Sequence, residues 1–565
     1  MRIFTKLTAL LLALVTAASF MVACKDDTAD QNGGQEPEET AYDLTDFTIV
    51  RAEVGSIGFS SAVSDVRDAI KSKLGLELPI VVDSNKEAGS KEILIGETDR
   101  MESKATVSQI KKKNEKNSWA IRIASDKIVI TGTDDASSVK AAEAFIKYYV
   151  NASSEGKLGL SAGKEMYRIY DTDSIITTKN GTEIQVETES ILYGQKRYNV
   201  NGEEFVPSGG SYPGITKLQY QSDPAKNGRL VAISAAAPMF GDSSTMACVT
   251  VSDDDGASWK IVARPNQKTF PGIPAGSMAN IYELPAKLGD LPAGTLIYSH
   301  NIVDWDIKKY SVIATWISVD AGETWQESAM IDEAGALGEG VWEPFMIYSE
   351  EDGYLYCFYS DDSDPKHDQK IVYKRSKDGV NWEGKNGEIG TLTGKNVEPV
   401  DVIATANKEH RPGMPVITKM GNGEYFMSYE YIDENGGCVI RYRTTKNLAD
   451  WGDPDNMGTL IGMWSAPSCA WLDAGGENGL LLVAAKGGSN NGYMMASFDY
   501  GKTWEKIEDP HTSKPIKNSG DRVGYSGFMF VANDKKTLYY VNSVNDPSAP
   551  KERQLIAFAK MYVYE

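Results

Sequence analysis

Two glutamates in aromatic-rich segments are the residues whose types and settings best suit catalysis. Glu343 lies in residues 340–345 (GVWEPF), and Glu430 lies in residues 427–431 (MSYEY). Apolar and aromatic neighbours desolvate a carboxyl group, which raises its pKa and suits it to act as a general acid. Glycosidic bonds are usually cleaved between two carboxyl groups, about 5–5.5 Å apart for retention of configuration and about 6.5–9.5 Å apart for inversion. We therefore predict that Glu343 and Glu430 form a catalytic pair.

Each glutamate also has a purely structural interpretation. Glu343 could cap a loop, and Glu430 could form an ion pair with Arg411 or Arg441. The catalytic interpretation holds only if the fold turns both carboxyl groups toward one face. It therefore depends on the elements that carry them, and the sequence leaves open which glutamate would be the nucleophile.

A repeated segment predicts those elements. Three copies fit the pattern S-x-D-x-G-x-[ST]-W, one copy is a residue shorter, and one is degenerate; they begin at Ser252, Ser318, Ser497, Ser376 and Thr445 respectively. In such a segment Asp bonds the backbone of a tight turn, and Gly takes the positive φ angle. The pattern resembles the Asp box, or BNR repeat, of sialidase-like β-propellers, where it joins the outer two strands of a blade. The resemblance implies a structural role for four aspartates: Asp254, Asp320, Asp378 and Asp499.

The spacing of the repeats predicts six blades. Successive copies begin 66, 58, 69 and 52 residues apart, so a blade takes about 60 residues and the C-terminal two thirds of the chain hold six. Innermost strands are expected near Tyr212, Met278, Trp342, Gly413, Ala466 and Tyr525. Residues 183–192 are the expected closing strand, which would join the two ends of the ring and remove its edges. The predicted fold class is therefore mainly β, a six-bladed sialidase-like propeller.

The chain divides into four predicted regions. Residues 1–23 are a signal peptide, 24–41 a flexible tether, 42–166 a small α+β domain and 167–565 the propeller. The α+β domain alternates strand and helix signals and carries no catalytic constellation, so we expect it to be an accessory domain.

Propeller topology places particular residues at one mouth of the ring. The first strand of each blade starts there and the second strand returns there, so residues just before the first and just after the second share a face. Eight residues on that face are predicted to bind substrate: Tyr212, His300, Arg411, Tyr431, Trp464, Lys486, Arg522 and Tyr525.

Short motifs across about residues 200–530 add a family resemblance. Residues 342–345 (WEPF), 411–415 (RPGMP) and 429–430 (YE), with 211–213 (SYP) before them, resemble the exo-α-1,5-L-arabinanases of glycoside hydrolase family 93. The resemblance implies a six-bladed propeller and a retaining hydrolase whose two catalytic glutamates correspond to Glu343 and Glu430. The chain departs from the family at Gly214, where the motif would have Arg, and this departure bears on the substrate.

Two other functions fit the same pattern. An exo-α-sialidase needs arginines that hold a planar carboxylate, and Arg411, Arg522 and a nucleophile-like Tyr525 are present, but the first arginine falls at Gly214. A surface glycan-binding protein without catalytic activity would use the same aromatic funnel. The separation and pairing of the two glutamates distinguish these functions from a retaining hydrolase.

Composition restricts the partners. The net charge of −21 would repel a nucleic acid, and no basic stripe compensates for it. Four histidines and the absence of a CxxC pair argue against zinc, and the proposed chemistry needs no cofactor. The expected partner is a carbohydrate, and the protein is expected to be a monomer.

The first residues resemble a bacterial lipoprotein signal. Arg2 and Lys6 precede an apolar run over 7–22, which is too short and too early for a permanent transmembrane helix. The run ends in residues 21–24 (MVAC), which resemble a lipobox with Cys24 as the lipidated residue. We expect an extracytoplasmic protein that is held at a cell membrane or outer membrane through its lipid anchor alone.

Overall fold

Short strands joined by tight turns make up most of the chain, as its many glycines and aromatic residues predict. The computed structural model describes residues 43–564 apart from 54, 86, 114–116, 152, 154–157, 159, 161–165, 169–174, 195–196, 201, 208–209, 236–237, 241–246, 266–274, 304–310, 336–338, 390–396, 464, 487–492, 513–525 and 546–553. The predicted signal peptide, Cys24 and the tether lie outside the described residues. Within them, every helix is too short or too polar to cross a bilayer.

The N-terminal part is a six-stranded sheet packed against helices. Its strands, in spatial order, are Ile80–Val82, Thr48–Arg51, Glu92–Ile95, Lys127–Gly132, Trp119–Ala124 and Met166–Arg168. The first four run parallel, and each of the last two pairs antiparallel with the strand before it. The helices are Ile57–Leu74, Met101–Lys113 and Asp135–Phe145, which continues into a π-helical turn, Ile146–Val150.

Local signals fix the ends of these helices. Ser56 Oγ accepts the Phe59 N–H at 3.2 Å at the start of the first helix, and Gly75 ends that helix with φ 72°. Asp134 and Ser137 form a capping box at the start of the third helix. The helices bury an apolar face in the core of this part: Val63, Val66, Ile70, Ala141 and Phe145.

Five sheets of four antiparallel strands follow as blades 1 to 5, each in sequential order from the inside out. Blade 1 consists of Ser211–Lys217, Leu230–Ala235, Ala247–Ser252 and Lys260–Ala263. Blade 2 consists of Ala275–Glu283, Leu296–Val303, Ser311–Ser318 and Gln326–Ala334. Blade 3 consists of Val341–Ser349, Tyr354–Asp361, Lys370–Ser376 and Val400–Ile403. Blade 4 consists of Arg411–Lys419, Tyr425–Ile432, Cys438–Thr445 and Thr459–Gly462. Blade 5 consists of Ser465–Leu472, Leu480–Lys486, Tyr493–Ser497 and Glu505–Glu508.

Blade 6 is built from both ends of the propeller sequence. Phe528–Val531, Thr537–Asn545 and Gln554–Val563 come from the C-terminus, and Glu183–Ile191 pairs antiparallel with the last of them. The short strand Ile175–Thr177 extends this sheet to five strands. The predicted closing strand and the mainly β, six-bladed fold are therefore confirmed. A separate three-stranded sheet is formed by Tyr198–Val200, Glu203–Pro207 and Pro238–Phe240.

The repeat segments form the turns between the third and fourth strands. In blade 2, Asp320 Oδ1 accepts hydrogen bonds from Ser318 Oγ at 2.8 Å and from the Thr324 N–H at 2.9 Å, while Gly322 has φ 89°. The corresponding aspartates in the other well-formed segments make equivalent turn contacts: Asp254, Asp378 and Asp499. Among the described residues, these carboxylates form their hydrogen bonds within their own turns, at the outside of the ring.

The tryptophans of these segments pack between blades as well as over their own turns. Trp259 of blade 1 meets Phe558 of blade 6 edge-on at 5.1 Å. Trp504 of blade 5 contacts Phe426 of blade 4, with ring centroids 6.0 Å apart. The repeat therefore links each of these blades to its predecessor and helps to fix the ring that positions the candidate site.

Candidate functional site

Most of the innermost strands begin with a bulge that carries a residue of positive φ. In blades 1, 3, 4 and 5 the strand register shifts within the first residues. The residues of positive φ at these positions, with the one before the inner strand of blade 6, are Tyr212 (45°), Glu343 (49°), Met414 (55°), Ala466 (55°) and Ser526 (59°). Left-handed backbone is costly for residues with a Cβ, and it clusters at functional sites. Glu343 is therefore held in a strained conformation within a ring of similar positions.

Proline follows four of these five residues. The pairs are 212–213 (YP), 343–344 (EP), 414–415 (MP) and 466–467 (AP). Proline has no N–H to donate to the strand ladder, so it is tolerated where a bulge interrupts pairing. The recurrence of this dipeptide is a sequence signal for the ring, and our sequence analysis did not use it.

A cavity lies at the centre of this ring. Each blade contributes to its lining: Tyr212, Asn280, Glu343, Met414, Pro467 and Phe528. Apart from Glu343, the described lining residues carry no carboxyl group, and most are apolar. The cavity therefore presents one acid within an apolar and aromatic surface.

Glu343 is held by a hydrogen bond from the neighbouring strand. Ser360 Oγ donates to Glu343 Oε2 at 2.5 Å and accepts the Met414 N–H at 3.0 Å. The serine hydroxyl therefore links the glutamate to the inner strand of blade 4. Burial is the main cause that raises the pKa of Glu343 to about 8; the negative charges of Glu430 and Asp362 act in the same direction, and the Ser360 hydrogen bond and Arg411 oppose them.

Glu430 lies in the second strand of blade 4 and faces blade 5. Its Oε2 accepts the Ser465 hydroxyl at 2.7 Å and the Ala466 N–H at 3.1 Å, and only 8% of the residue is exposed. Tyr429 and Tyr431, its neighbours in sequence, lie in the core on the other face of the strand because side chains alternate along a strand. Tyr429 and Tyr431 therefore do not surround the Glu430 carboxyl group as expected, and its described hydrogen-bond partners are Ser465 and Ala466.

The two glutamates share one electrostatic environment. The charge of Glu430 contributes to the raised pKa of Glu343, so the two carboxyl groups lie close enough to interact. Among the residues that the structure describes, no lysine or arginine forms an ion pair with either of them. Arg441 instead donates to the Gly458 carbonyl at 3.1 Å and stacks over Tyr431, with 4.9 Å to the ring centroid.

Arg411 is held by acids beside the cavity. Its Nη1 lies 3.2 Å from Asp368 Oδ2, its Nη2 lies 3.6 Å from Asp362 Oδ2, and Nη2 also donates to Gln369 Oε1 at 2.5 Å. Asp362 is buried, and its Oδ2 accepts the Trp342 Nε1–H at 3.0 Å. Burial is the main cause that raises the pKa of Asp362 to about 6. Propeller topology predicts that Asp362, which directly follows the second strand of blade 3, lies at the mouth, although the sequence pattern assigns it no role. Ser360, within the end of the same strand, is a site residue that was not predicted.

Tyr212 and Lys486 lie beside the two glutamates. Tyr212 lines the cavity and packs against Trp342, the residue before Glu343. Lys486 ends the second strand of blade 5, where it pairs in register with Ser465, which binds Glu430.

The structure does not bring His300 and Tyr431 to the cavity surface. His300 is fully buried, its Nδ1 is hydrogen bonded to the Tyr298 hydroxyl, and its ring packs edge-on against Trp316. Tyr431 is 3% exposed, and its hydroxyl is hydrogen bonded to His410 Nδ1 at 2.5 Å. Both residues belong to the strand face that packs between blades, so neither is placed to contact a ligand directly.

The remaining predicted residues lie outside the described part of the chain; they are Trp464, Arg522 and Tyr525. In the part that is described, no group of three or more His, Cys, Asp or Glu side chains has the arrangement of a metal site. Cys248, Cys357 and Cys469 are buried thiols in three different blades.

Solved structures provide an independent comparison. The chain resembles an α-L-arabinanase of Penicillium chrysogenum, solved with arabinobiose, with a TM-score of 0.53, 23% identity and coverage of 66% of this chain and 98% of that one. The propeller is of the sialidase-like type, close in fold to glycoside hydrolase family 93. An α-L-arabinofuranosidase of that family from Fusarium graminearum, also solved with arabinobiose, has a TM-score of 0.51 and 21% identity and covers 65% and 98% of the two chains.

These similarities concern the fold. They confirm the predicted resemblance at that level, and the share of this chain that they cover, about two thirds, corresponds to the propeller. Comparisons with protein-family models and with curated proteins find no match.

Proposed function

We propose that the protein is a retaining glycoside hydrolase that cleaves arabinan-type chains, with Glu343 and Glu430 as its catalytic pair. One observation carries the proposal: a strained bulge presents Glu343 to the central cavity while Glu430 interacts with it electrostatically. Strain of this kind persists where the surrounding structure enforces it, and active sites are where it is commonly found. The likeness in fold to family 93 enzymes supports the same proposal.

The pair would work with one proton between its two carboxyl groups. Burial favours the protonated form of Glu343 at neutral pH, and the negative charge of Glu430 adds to this preference. In the retaining mechanism, the ionised carboxylate attacks the anomeric carbon while the carboxylic acid protonates the leaving oxygen. Water then hydrolyses the glycosyl–enzyme ester, and the second residue now acts as the base that deprotonates the water.

The charges around the cavity favour a neutral sugar. Glu343, Glu430 and Asp362 lie together, and the guanidinium of Arg411 beside them is already paired with Asp362 and Asp368. Among the described residues, a sugar carboxylate would face the negative charges of Glu430 and Asp362 while Arg411 is already engaged. This supports an arabinan-type substrate over a sialoside, and the apolar lining offers flat surfaces for the faces of sugar rings.

Activity on a panel of glycans tests the proposal. The purified protein should release sugar from linear arabinan or its oligosaccharides and not from an aryl sialoside. Glu343→Gln and Glu430→Gln should each lower kcat by on the order of 10³-fold. Glu409→Gln is the matched control, because Glu409 is exposed and makes no side-chain contact with the site.

Three outcomes would contradict the proposal. Release of sialic acid would favour a sialidase. Binding of oligosaccharide without turnover across the whole panel would favour a glycan-binding protein. Activity within tenfold of the wild type in either glutamine variant would refute the catalytic pair.

We further propose that the protein is exported and lipid-anchored through Cys24. The lipobox-like segment of residues 21–24 supports this proposal. Cys24→Ser should abolish incorporation of labelled fatty acid and release the protein from the membrane fraction. Unchanged labelling in the variant would contradict the proposal.

A further inference from the structure

Asp362 clamps the bulge that carries Glu343. Its backbone N–H donates to the Gly340 carbonyl at 2.8 Å, and its carboxylate accepts the Trp342 indole N–H at 3.0 Å. These two hydrogen bonds hold the two ends of the segment 340–342, which directly precedes Glu343. Asp362 and Trp342 are each 5% exposed, so water does not compete for the indole bond.

The indole ring is confined on its other side as well. A Cβ added at Gly340 would lie 2.5 Å from Cζ2 of Trp342, so the ring packs directly over the glycine backbone. Tyr212 packs against the same indole. Trp342 therefore has one position available, and the φ of 49° at Glu343 follows directly after that fixed residue.

The same carboxylate faces a cation. Asp362 Oδ2 lies 3.6 Å from Arg411 Nη2, and Arg411 also attracts Glu343 electrostatically. Asp362 Oδ1 is buried and has no hydrogen-bond partner among the described residues. Asp362 is thus poorly satisfied for a structural carboxylate, which points to a role beyond stability.

We propose that Asp362 is a positioning residue, which holds the Trp342–Glu343 bulge in place and keeps Arg411 from pairing with Glu343. This inference rests on the proposed catalytic role of Glu343. It assigns to Asp362 no contact with substrate.

The titration of Glu343 reports on this arrangement. The charged groups that face Glu343 are Glu430, Asp362 and Arg411. Those that face Asp362 are Arg411, Asp361 and Asp368. Replacing Asp362 with Asn removes one negative charge near Glu343 and releases Arg411 toward it, and both changes lower the pKa of Glu343.

The experiment compares Asp362→Asn with Asp368→Asn. Asp368 pairs with the same guanidinium but is 47% exposed and does not contact Trp342. The extent of carbodiimide modification of Glu343, read by mass spectrometry of its peptide across a pH series, gives its titration midpoint in the resting protein. We expect a downward shift of about one pH unit or more in Asp362→Asn and a much smaller shift in Asp368→Asn.

Activity provides a second readout. The basic limb of the pH profile of kcat should move down with the titration midpoint in Asp362→Asn and stay in place in Asp368→Asn. A protein without hydrolase activity in any variant would refute the proposed function, while the modification midpoint would still test the role of Asp362. An unchanged midpoint in folded Asp362→Asn, or an equal shift in Asp368→Asn, would overturn the inference.

Arg411→Gln keeps the inference testable if Asp362→Asn does not fold. With Asp362 present and holding the guanidinium, removal of Arg411 should move the midpoint of Glu343 by less than about half a pH unit. An upward shift of more than about one unit would show that Arg411 acts directly on Glu343 despite Asp362, and would overturn the inference.

Discussion

Glu343 combines a strained backbone, a buried carboxyl group and a hydrogen bond from the Ser360 hydroxyl. Its φ of 49° is costly, its burial disfavours the ionised form, and the Ser360 hydroxyl fixes one of its oxygens at 2.5 Å. Glu430 has ordinary strand geometry and two donors on a single oxygen. The two carboxyl groups therefore differ in environment. This difference favours a state in which the pair holds one proton, on one carboxyl group only.

The raised pKa of Glu343 predicts the pH dependence of activity. The competent pair holds one proton, so kcat should fall as pH rises through about 8, where that proton is lost. The pH profile of hydrolysis of arabino-oligosaccharides checks this expectation. A basic limb centred below pH 6 would contradict it.

The same pKa predicts a gain in stability for Glu343→Gln at high pH. The carboxyl group has a pKa of about 8 in the folded protein, against an ordinary value of 4.5. Its stabilising contribution is complete below pH 4.5 and is lost as pH rises through 8, because the folded state binds more protons between these values. Glutamine removes this dependence. The variant should therefore gain on the order of 1–3 kcal/mol over wild type between pH 5 and pH 8.5.

Urea unfolding at both pH values measures that gain. Glu409→Gln is the control, since an exposed carboxyl group should give the same difference from wild type at either pH. A difference for Glu343→Gln that does not grow with pH would contradict a protonated, buried Glu343.

At the scale of elements, the bulge and the repeat segment do the positioning. The repeat turns fix which strands are inner and outer, and the bulges of blades 1, 3 and 4 then direct Tyr212, Glu343 and Met414 into the cavity. A bulge rotates a side chain out of the strict alternation of a strand. That is how Glu343 reaches the cavity while Val341 and Trp342 before it remain buried.

The repeat turns should contribute stability and not catalysis. Asp320→Ala removes the bonds of both carboxylate oxygens to Ser318 and Thr324 and leaves the Thr324 N–H without its acceptor. We expect the free energy of unfolding to fall by about 1–3 kcal/mol with kcat unchanged. Asp473→Ala is the control, because Asp473 is an exposed aspartate of the same ring. A tenfold loss of kcat in Asp320→Ala would contradict the structural assignment.

The sequence predicts these elements better than the contacts between them. Local turn chemistry gave the blade count and the register, so the positions of Glu343 and Tyr212 at the mouth were predictable. The prediction that Tyr431 and His300 bind substrate did not take into account that side chains alternate along a strand. Both side chains point into the cores between blades. The bond between Asp362 and Trp342 joins the open end of the hairpin that the first two strands of blade 3 form. The contact depends on the register of this hairpin and on the shift at the bulge, and the sequence pattern specifies neither.

At the scale of the whole molecule, charged residues join the ends of the ring. Lys560 on the third strand of blade 6 lies 3.1 Å from Glu187 on the closing strand and also pairs with Asp255 in a turn of blade 1. Glu187 in turn binds Arg168 of the N-terminal sheet at 2.8 Å. Blade closure and the attachment of the N-terminal part thus share one network.

Removal of Lys560 should destabilise the ring. Lys560→Met removes one of two counter-charges from each of Asp255 and Glu187, which keep Lys217 and Arg168 respectively. A buried charge left without any partner costs about 3–5 kcal/mol, so with these partners retained we expect a loss of about 1–3 kcal/mol. Urea unfolding followed by tryptophan fluorescence measures the loss, with exposed Lys502→Met as the control. A loss below about 1 kcal/mol would show that strand pairing alone closes the ring.

The stereochemistry of the first product tests the central claim most directly. Proton NMR during hydrolysis of an arabino-oligosaccharide by the wild-type protein distinguishes the anomer that is released before mutarotation. A retaining pair of Glu343 and Glu430 predicts release of the sugar with the configuration of the cleaved bond. Initial release of the opposite anomer, or the absence of any hydrolysis, would contradict it.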